Sequence, residues 1–226
     1  MRSAACLLGA AALAAAAPLS TLDNRTTCYE GLYIIAARGS DEPAGEGDIQ
    51  EVSDLITAAV PNSASVPVVY PATIFTDGTY PTSVSDGVNN LISLYTSYVD
   101  ACGSSSKIAL LGYSQGGNVV TDALAGGVDK PTPLSAAYTQ YLTAVAVFGD
   151  PTFTVGESFD VGNATKSGIF ARGGSSLAML ETYAPKIQSY CMVHDPVCAF
   201  GDDLDVHYAE VSTFAQSAAN FVISKA

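Results

Sequence analysis

Lys107-Ile-Ala-Leu-Leu-Gly112-Tyr113-Ser114-Gln115-Gly116-Gly117-Asn-Val-Val-Thr-Asp-Ala-Leu124 is the stretch whose reading decides the fold. Residues 108–111 form a short apolar run closed by glycine, the pattern of a buried strand. Beyond Gly112-Tyr113-Ser114-Gln115-Gly116, a helical course puts Val119, Val120 and Leu124 on one face. Strand, G-x-S-x-G, helix is the setting of a nucleophile elbow. Such a turn is so tight that flanking side chains would collide, which calls for Gly112 and Gly116. It leaves Ser114 projecting at the carboxyl end of the strand. It also aims the backbone N–H of Gln115, at the positive end of the helix, where an oxyanion would sit. With 20 glycines in 226 residues the motif can arise by accident. Its meaning therefore depends on whether the chain also supplies a base and an acid to orient that base.

Working outward, apolar runs at 31–37, 142–148 and 187–190 read as further buried strands, and 66–70 as a strand closed by Pro71. Residues 48–60 and 83–102 have helical periodicity, the second carrying Val84, Val88, Leu91, Tyr95 and Tyr98 as a core stripe. Residues 211–224 form a last amphipathic helix. Residues 152–185 have little periodicity and read as irregular, with at most one short helix. Strands alternating with helices predict an α/β fold, a parallel sheet covered on both faces by right-handed crossovers. Neither an internal repeat nor a low-complexity linker interrupts the chain.

The first residues, Met1-Arg2 followed by an alanine- and leucine-rich run to Pro18, have the composition of a secretory signal peptide over 1–17. The expected mature chain, 18–226, has the size of one domain. The net charge is -13. That balance argues against nucleic acid or an anionic membrane as a partner. Removing Cys6 with the leader leaves four cysteines, Cys28, Cys102, Cys191 and Cys198, an even set that suits disulfides in a secreted chain. Of the three pairings possible, the short spacing favours Cys191 with Cys198, leaving Cys28 with Cys102. A zinc site is the rival reading, but there is no C-x-x-C pair and only two histidines. N-glycosylation sequons stand at Asn24 and Asn163.

A serine hydroxyl needs a neighbouring imidazole to take its proton. In the order nucleophile, acid, histidine, the candidates downstream of Ser114 are His194 and His207. His207 is preferred: it is expected in the connection between the last strand and the last helix, where a loop can fold back over the sheet's carboxyl edge. His194 lies inside the short Cys191–Cys198 loop, where Asp195 is the better functional residue. A disulfide-closed turn can hold that carboxylate against an imidazole. Asp202, Asp203 and Asp205 also lie near His207 but read as a solvated acidic loop. Asp150, in Gly149-Asp150-Pro151, reads as the brace of a turn.

Together, the Gly112–Gly117 motif, the Cys191-x-x-x-Asp195-Pro-x-Cys198 loop, the later His207 and the Arg38-Gly39-Ser40 loop resemble the cutinase and acetylxylan esterase family of secreted fungal serine esterases. The resemblance implies a small α/β-hydrolase, a three-layer α/β/α sandwich on a five-stranded, mainly parallel sheet. It implies Ser114 as nucleophile, His207 as base and then acid, and Asp195 orienting the imidazole. An oxyanion hole would come from the Ser40 and Gln115 N–H groups, with the Ser40 hydroxyl as a third donor. It supports the same disulfide pairings and implies no cofactor, no metal and a monomer. The expected function is an extracellular esterase of plant cell-wall polymers. Tyr70-Pro71-Ala72, residues 80–87 and Gly149-Asp150-Pro151-x-Phe153 resemble acetylxylan esterases, whereas the two-disulfide pattern is closer to cutinases acting on cutin. A non-catalytic secreted wall-binding or host-signalling role on the same fold is the reading from another class.

Overall fold

A computed structural model describes Met1 and residues 26–226. The expected leader, Cys6 and the Asn24 sequon lie outside the described residues. Among the described residues six strands form one sheet: β1 (Tyr33–Ala37), β2 (Ala64–Pro67), β3 (Ile108–Tyr113), β4 (Leu142–Phe148), β5 (Asp160–Gly162) and β6 (Ile187–Cys191), in the order β2-β1-β3-β4-β6-β5. Every neighbouring pair is parallel. The helices are α1 (Gln50–Ala59), α2 (Tyr80–Cys102), α3 (Gln115–Ala125), α4 (Ala136–Thr139), α5 (Gly174–Glu181) and α6 (Leu204–Ile223).

The period-two alternation of the central strands splits the core into two layers. Ile35, Leu110, Val145 and Val147 point to the side covered by α2 and α3, against Val84, Val88, Leu91, Val119 and Leu124. Ile34, Ala36, Leu111, Ala146 and Phe148 point to the other side, against Val52 and Ile56 of α1 and Val211, Ala215, Ala218 and Val222 of α6. Both faces of β1 and β3 are buried, which is why those strands read as continuous apolar runs.

Three expectations are corrected. The sheet has six strands rather than five, because Asp160–Gly162 pairs in register with Ser189, Tyr190 and Cys191 at the edge. The segment 152–185 thus contains this strand as well as a short helix, α5. The last helix starts at Leu204, seven residues before the expected start, with the Asp203 side chain capping it by accepting from the Asp205 N–H (3.1 Å). His207 is therefore in the first turns of α6 and not in the preceding connection. The second strand is also shifted, at Ala64–Pro67 in place of 66–70.

Among the described residues there are two disulfides, Cys28–Cys102 and Cys191–Cys198. None of the four cysteines is left as a thiolate ligand. The first ties the lead-in to β1 to the end of α2; the second closes the loop after β6. Among the described residues, no helix is long and apolar enough to cross a membrane.

Candidate active site

Ser114 sits between β3 and α3 with φ 53° and ψ -119°, a backbone conformation unfavourable for a residue with a Cβ. The surroundings enforce it. Ser114 N–H donates to Phe148 O on β4 (2.8 Å), and its own carbonyl accepts from Gly117 N–H (2.9 Å). A Cβ at Gly112 would stand 2.4 Å from the Gly116 carbonyl oxygen, the collision across the turn expected from sequence. Gly116 is needed for a different reason: its Cβ would stand 2.0 Å from Ala37 O, at the end of β1. The elbow is pressed against the neighbouring strand as well as folded on itself.

The structure brings Ser114, His207 and Asp195 together from three separate elements. His207 Nε2 lies 2.9 Å from Ser114 Oγ, and His207 Nδ1 lies 2.7 Å from Asp195 Oδ2. Asp195 is fully buried, and its other oxygen accepts from the N–H groups of Val197 (2.6 Å) and Cys198 (2.9 Å). The disulfide loop thus fixes the carboxylate by turning its own backbone onto it. The Tyr113 ring stacks on the imidazole at 5.1 Å, and its hydroxyl donates to His207 O (3.1 Å). Burial pushes the Tyr113 hydroxyl far above its ordinary range, so it remains a neutral donor.

The rival residues are elsewhere. His194 is exposed, with Nδ1 3.4 Å from the exposed Asp202 carboxylate. Asp203 is occupied as the α6 cap. Asp150 is buried and accepts from Thr152 N–H (2.7 Å), Thr152 Oγ1 (2.8 Å) and Thr121 Oγ1 (3.0 Å), so it braces the turn after β4. Burial raises its pKa against these hydrogen bonds and the Arg172 charge.

The loop opposite Ser114 is built on Arg38. Its guanidinium donates to Tyr70 O (2.8 Å) and Glu42 O (2.9 Å), while the Tyr70 hydroxyl donates back to Arg38 O. Gly39 N–H donates to the Glu42 carboxylate and Asp41 N–H to Ala72 O (2.8 Å), so the two residues flanking Ser40 are tied down. Between them, the Ser40 N–H meets no protein acceptor among the described residues. The Ser40 hydroxyl is turned towards Thr73 O at 3.4 Å. Gln115 is the first residue of α3, where N–H groups lack intrahelical acceptors. Its side chain is held between Ser83 Oγ (2.9 Å) and Thr73 O (2.7 Å), which joins the elbow to the Ser40 side of the site.

Two residues at the site escaped the sequence reading. Gly149 has φ +57°, and a Cβ there would stand 2.7 Å from His207 Cε1. Glu210 is fully buried one helical turn beyond His207. Had α6 been started earlier, the His207, Glu210, Val211 spacing would have marked both polar residues as inward-facing.

A parallel sheet carrying a strained serine at a strand–helix turn, hydrogen-bonded through an imidazole to a buried carboxylate, defines an α/β-hydrolase. Residues 28–226 match the family model described as Cutinase, and the chain belongs to the cutinase family of carboxylic ester hydrolases. It is 32% identical to Cutinase 11 of Verticillium dahliae, over 100% of this chain and 77% of that one. It is also 32% identical to acetylxylan esterase 2 of Talaromyces purpureogenus, over 98% and 97% of the two chains. Among solved structures, the catalytic core domain of acetyl xylan esterase from Trichoderma reesei superimposes with a TM-score of 0.80, at 29% identity, over 88% of this chain and 100% of that one.

Proposed function

We propose that the protein is a secreted serine esterase that removes short acyl groups, acetyl above all, from a plant cell-wall polysaccharide such as acetylated xylan. The single observation that carries the catalytic reading is the continuous hydrogen-bonded line Ser114 Oγ, His207, Asp195. His207 Nε2 takes the hydroxyl proton as Ser114 Oγ bonds to the ester carbonyl carbon. The Ser40 and Gln115 N–H groups receive the oxyanion. Collapse breaks the acyl–oxygen bond, and the departing alkoxide takes the proton from His207. Water then repeats the sequence on the acyl-enzyme, releasing the carboxylic acid and restoring Ser114. Asp195 keeps the imidazole in the tautomer that presents a lone pair to Ser114.

The acetylxylan reading is supported by the near end-to-end likeness to acetylxylan esterase 2 and by the acetyl xylan esterase core. A second reading, a cutinase acting on aliphatic polyester, is favoured by the apolar side chains left in solvent near the site. Ile74 and Phe75 follow Thr73 on one side; Phe200, Leu204 and Tyr208 flank His207 in sequence on the other. On either reading the leader 1–17 is removed and 18–226 acts as one monomeric domain. Asn163 is exposed and available for a glycan, its Oδ1 accepting from Val193 N–H (2.8 Å). Hydrolysis of p-nitrophenyl esters of increasing chain length, alongside acetylated xylan and a cutin-like polyester, tests the choice. The proposal expects activity on acetyl esters and xylan that Ser114→Ala abolishes. Rates that hold with chain length, together with polyester attack, would replace it by the cutinase reading.

A further inference from the structure

Glu210 is a buried carboxyl that the reaction scheme leaves unused. It is fully inaccessible, on the turn of α6 after His207, and it packs against the Cys191–Cys198 bridge, with Oε1 3.7 Å from Cys198 Sγ. Oε1 accepts from Met192 N–H (2.6 Å). Oε2 is buried and faces no donor. Asp195 is its neighbour across Cys198: Asp195 Oδ1 takes the Cys198 N–H (2.9 Å) while Glu210 Oε1 lies beside the Cys198 sulfur, so the two carboxyls act on each other. Both Asp195 oxygens are already engaged: one accepts from two backbone N–H groups and the other faces His207 Nδ1. Two ionised carboxylates in this dry space would repel each other, and each would lose a partner. A single proton on Glu210 resolves the orphaned oxygen and the repulsion together.

We propose that Glu210 holds that proton and donates it to the Asp195 carboxylate, acting as a positioning residue behind the Ser114–His207–Asp195 line. The neutral carboxylic acid fixes the plane of the Asp195 carboxylate against Nδ1 of His207 and spreads its charge without adding a second one. Burial, with added repulsion from Asp195, favours this neutral form against the opposing pull of Met192 N–H. Among the described residues, the titratable group that acts on Glu210 is Asp195, on the disulfide loop; His207 stands one turn earlier on the same helix. The inference builds on the esterase reading but is tested partly outside it.

Glu210→Gln keeps a donor for Asp195 and an acceptor for Met192, whereas Glu210→Leu removes both. Infrared spectra of the resting protein at pH 7 read the proton directly, whatever the enzyme does to esters. The wild type should show a carboxylic-acid C=O band that Glu210→Gln lacks and that fades as the pH passes about 8. With p-nitrophenyl acetate at pH 7, kcat for Glu210→Leu should fall by one to two orders of magnitude with little change in KM, the scale of a misplaced catalytic group. Glu210→Gln should recover about tenfold of that loss. Above pH 8 the wild-type kcat should decline as Glu210 ionises, and the Glu210→Gln profile should lack that limb. Absence of the acid band, a Gln variant as poor as the Leu variant, or identical alkaline limbs in wild type and Glu210→Gln would each overturn the proposal. Loss of all ester hydrolysis with the band intact would instead strike the esterase reading alone.

Discussion

Gly149→Ala should displace His207, the proposed base, without removing any hydrogen-bonding group. Gly149 follows β4 with φ +57°, a region costing an alanine about 1–2 kcal/mol. For a chain of this size that corresponds to a fall in Tm of about 2–8 °C, measurable but compatible with a folded protein. The local effect is larger. The new methyl carbon would stand 2.7 Å from His207 Cε1 and 2.9 Å from Nδ1, where ordinary contact begins near 3.4 Å. The ring must therefore retreat by about 0.7 Å. It is already hydrogen-bonded on both sides, at 2.9 Å to Ser114 and 2.7 Å to Asp195, with Tyr113 stacked on it. A shift of that size stretches at least one of the two bonds. Misplacement on this scale costs roughly 10–100-fold, or about 1.4–2.7 kcal/mol of transition-state stabilisation. The assay is p-nitrophenyl acetate hydrolysis with Tm measured on the same preparation. The expected result is a large loss in kcat, little change in KM and a modest loss in Tm. A folded variant with wild-type kcat would refute the idea that the backbone at Gly149 holds the imidazole in place.

The two disulfides should separate stability from catalysis. Replacing Cys28 and Cys102 by serine opens a loop of sequence separation 74 and should cost roughly 4 kcal/mol, with kcat kept in the protein that remains folded. Replacing Cys191 and Cys198, separation 7, should cost only about 2 kcal/mol but lower kcat, because it loosens the turn that presents Val197 and Cys198 N–H to Asp195. Equal effects on kcat from the two pairs would count against that role. Asp195→Asn should leave the fold intact and lower kcat by about 10⁴-fold by favouring the wrong tautomer; a loss under tenfold would mean that Asp195 does not orient His207. Because the folded-state pKa of Glu210 is raised, the native protein binds more protons than the unfolded chain between about pH 4.5 and 8. This group's contribution to stability should therefore fall with rising pH across that window, by at most about 1.4 kcal/mol per unit. Denaturant midpoints should show a shallower pH dependence in Glu210→Gln, and parallel curves would contradict it.

How far the sequence revealed the structure depended on whether burial was apolar. The strands at 31–37, 108–111 and 142–148 are covered on both faces, so their apolar runs announced them. The stripe of α2 did the same. The elbow was legible because its demands are local: a tight turn, two small residues and a serine. Its second constraint was hidden, since only the fold shows that Gly116 lies against Ala37. The early turns of α6 were missed for a physical reason. Their inward positions are His207 and Glu210, polar residues that no hydrophobic period detects, while Leu204 and Tyr208 point to solvent. Strand β5 is three residues long, half exposed, and exists through its pairing with β6. Gly149 looked like part of an ordinary turn because the imidazole it faces is 58 residues away in the chain.

The most direct test is to label the nucleophile covalently. The protein and its Ser114→Ala variant are treated with a fluorophosphonate ester, which bonds only to an activated serine, and the modified peptide is located by mass spectrometry. The account predicts one label per chain on Ser114, complete loss of p-nitrophenyl acetate hydrolysis on labelling, and neither label nor hydrolysis in Ser114→Ala. Labelling at another serine, or hydrolysis that survives in Ser114→Ala, would contradict it.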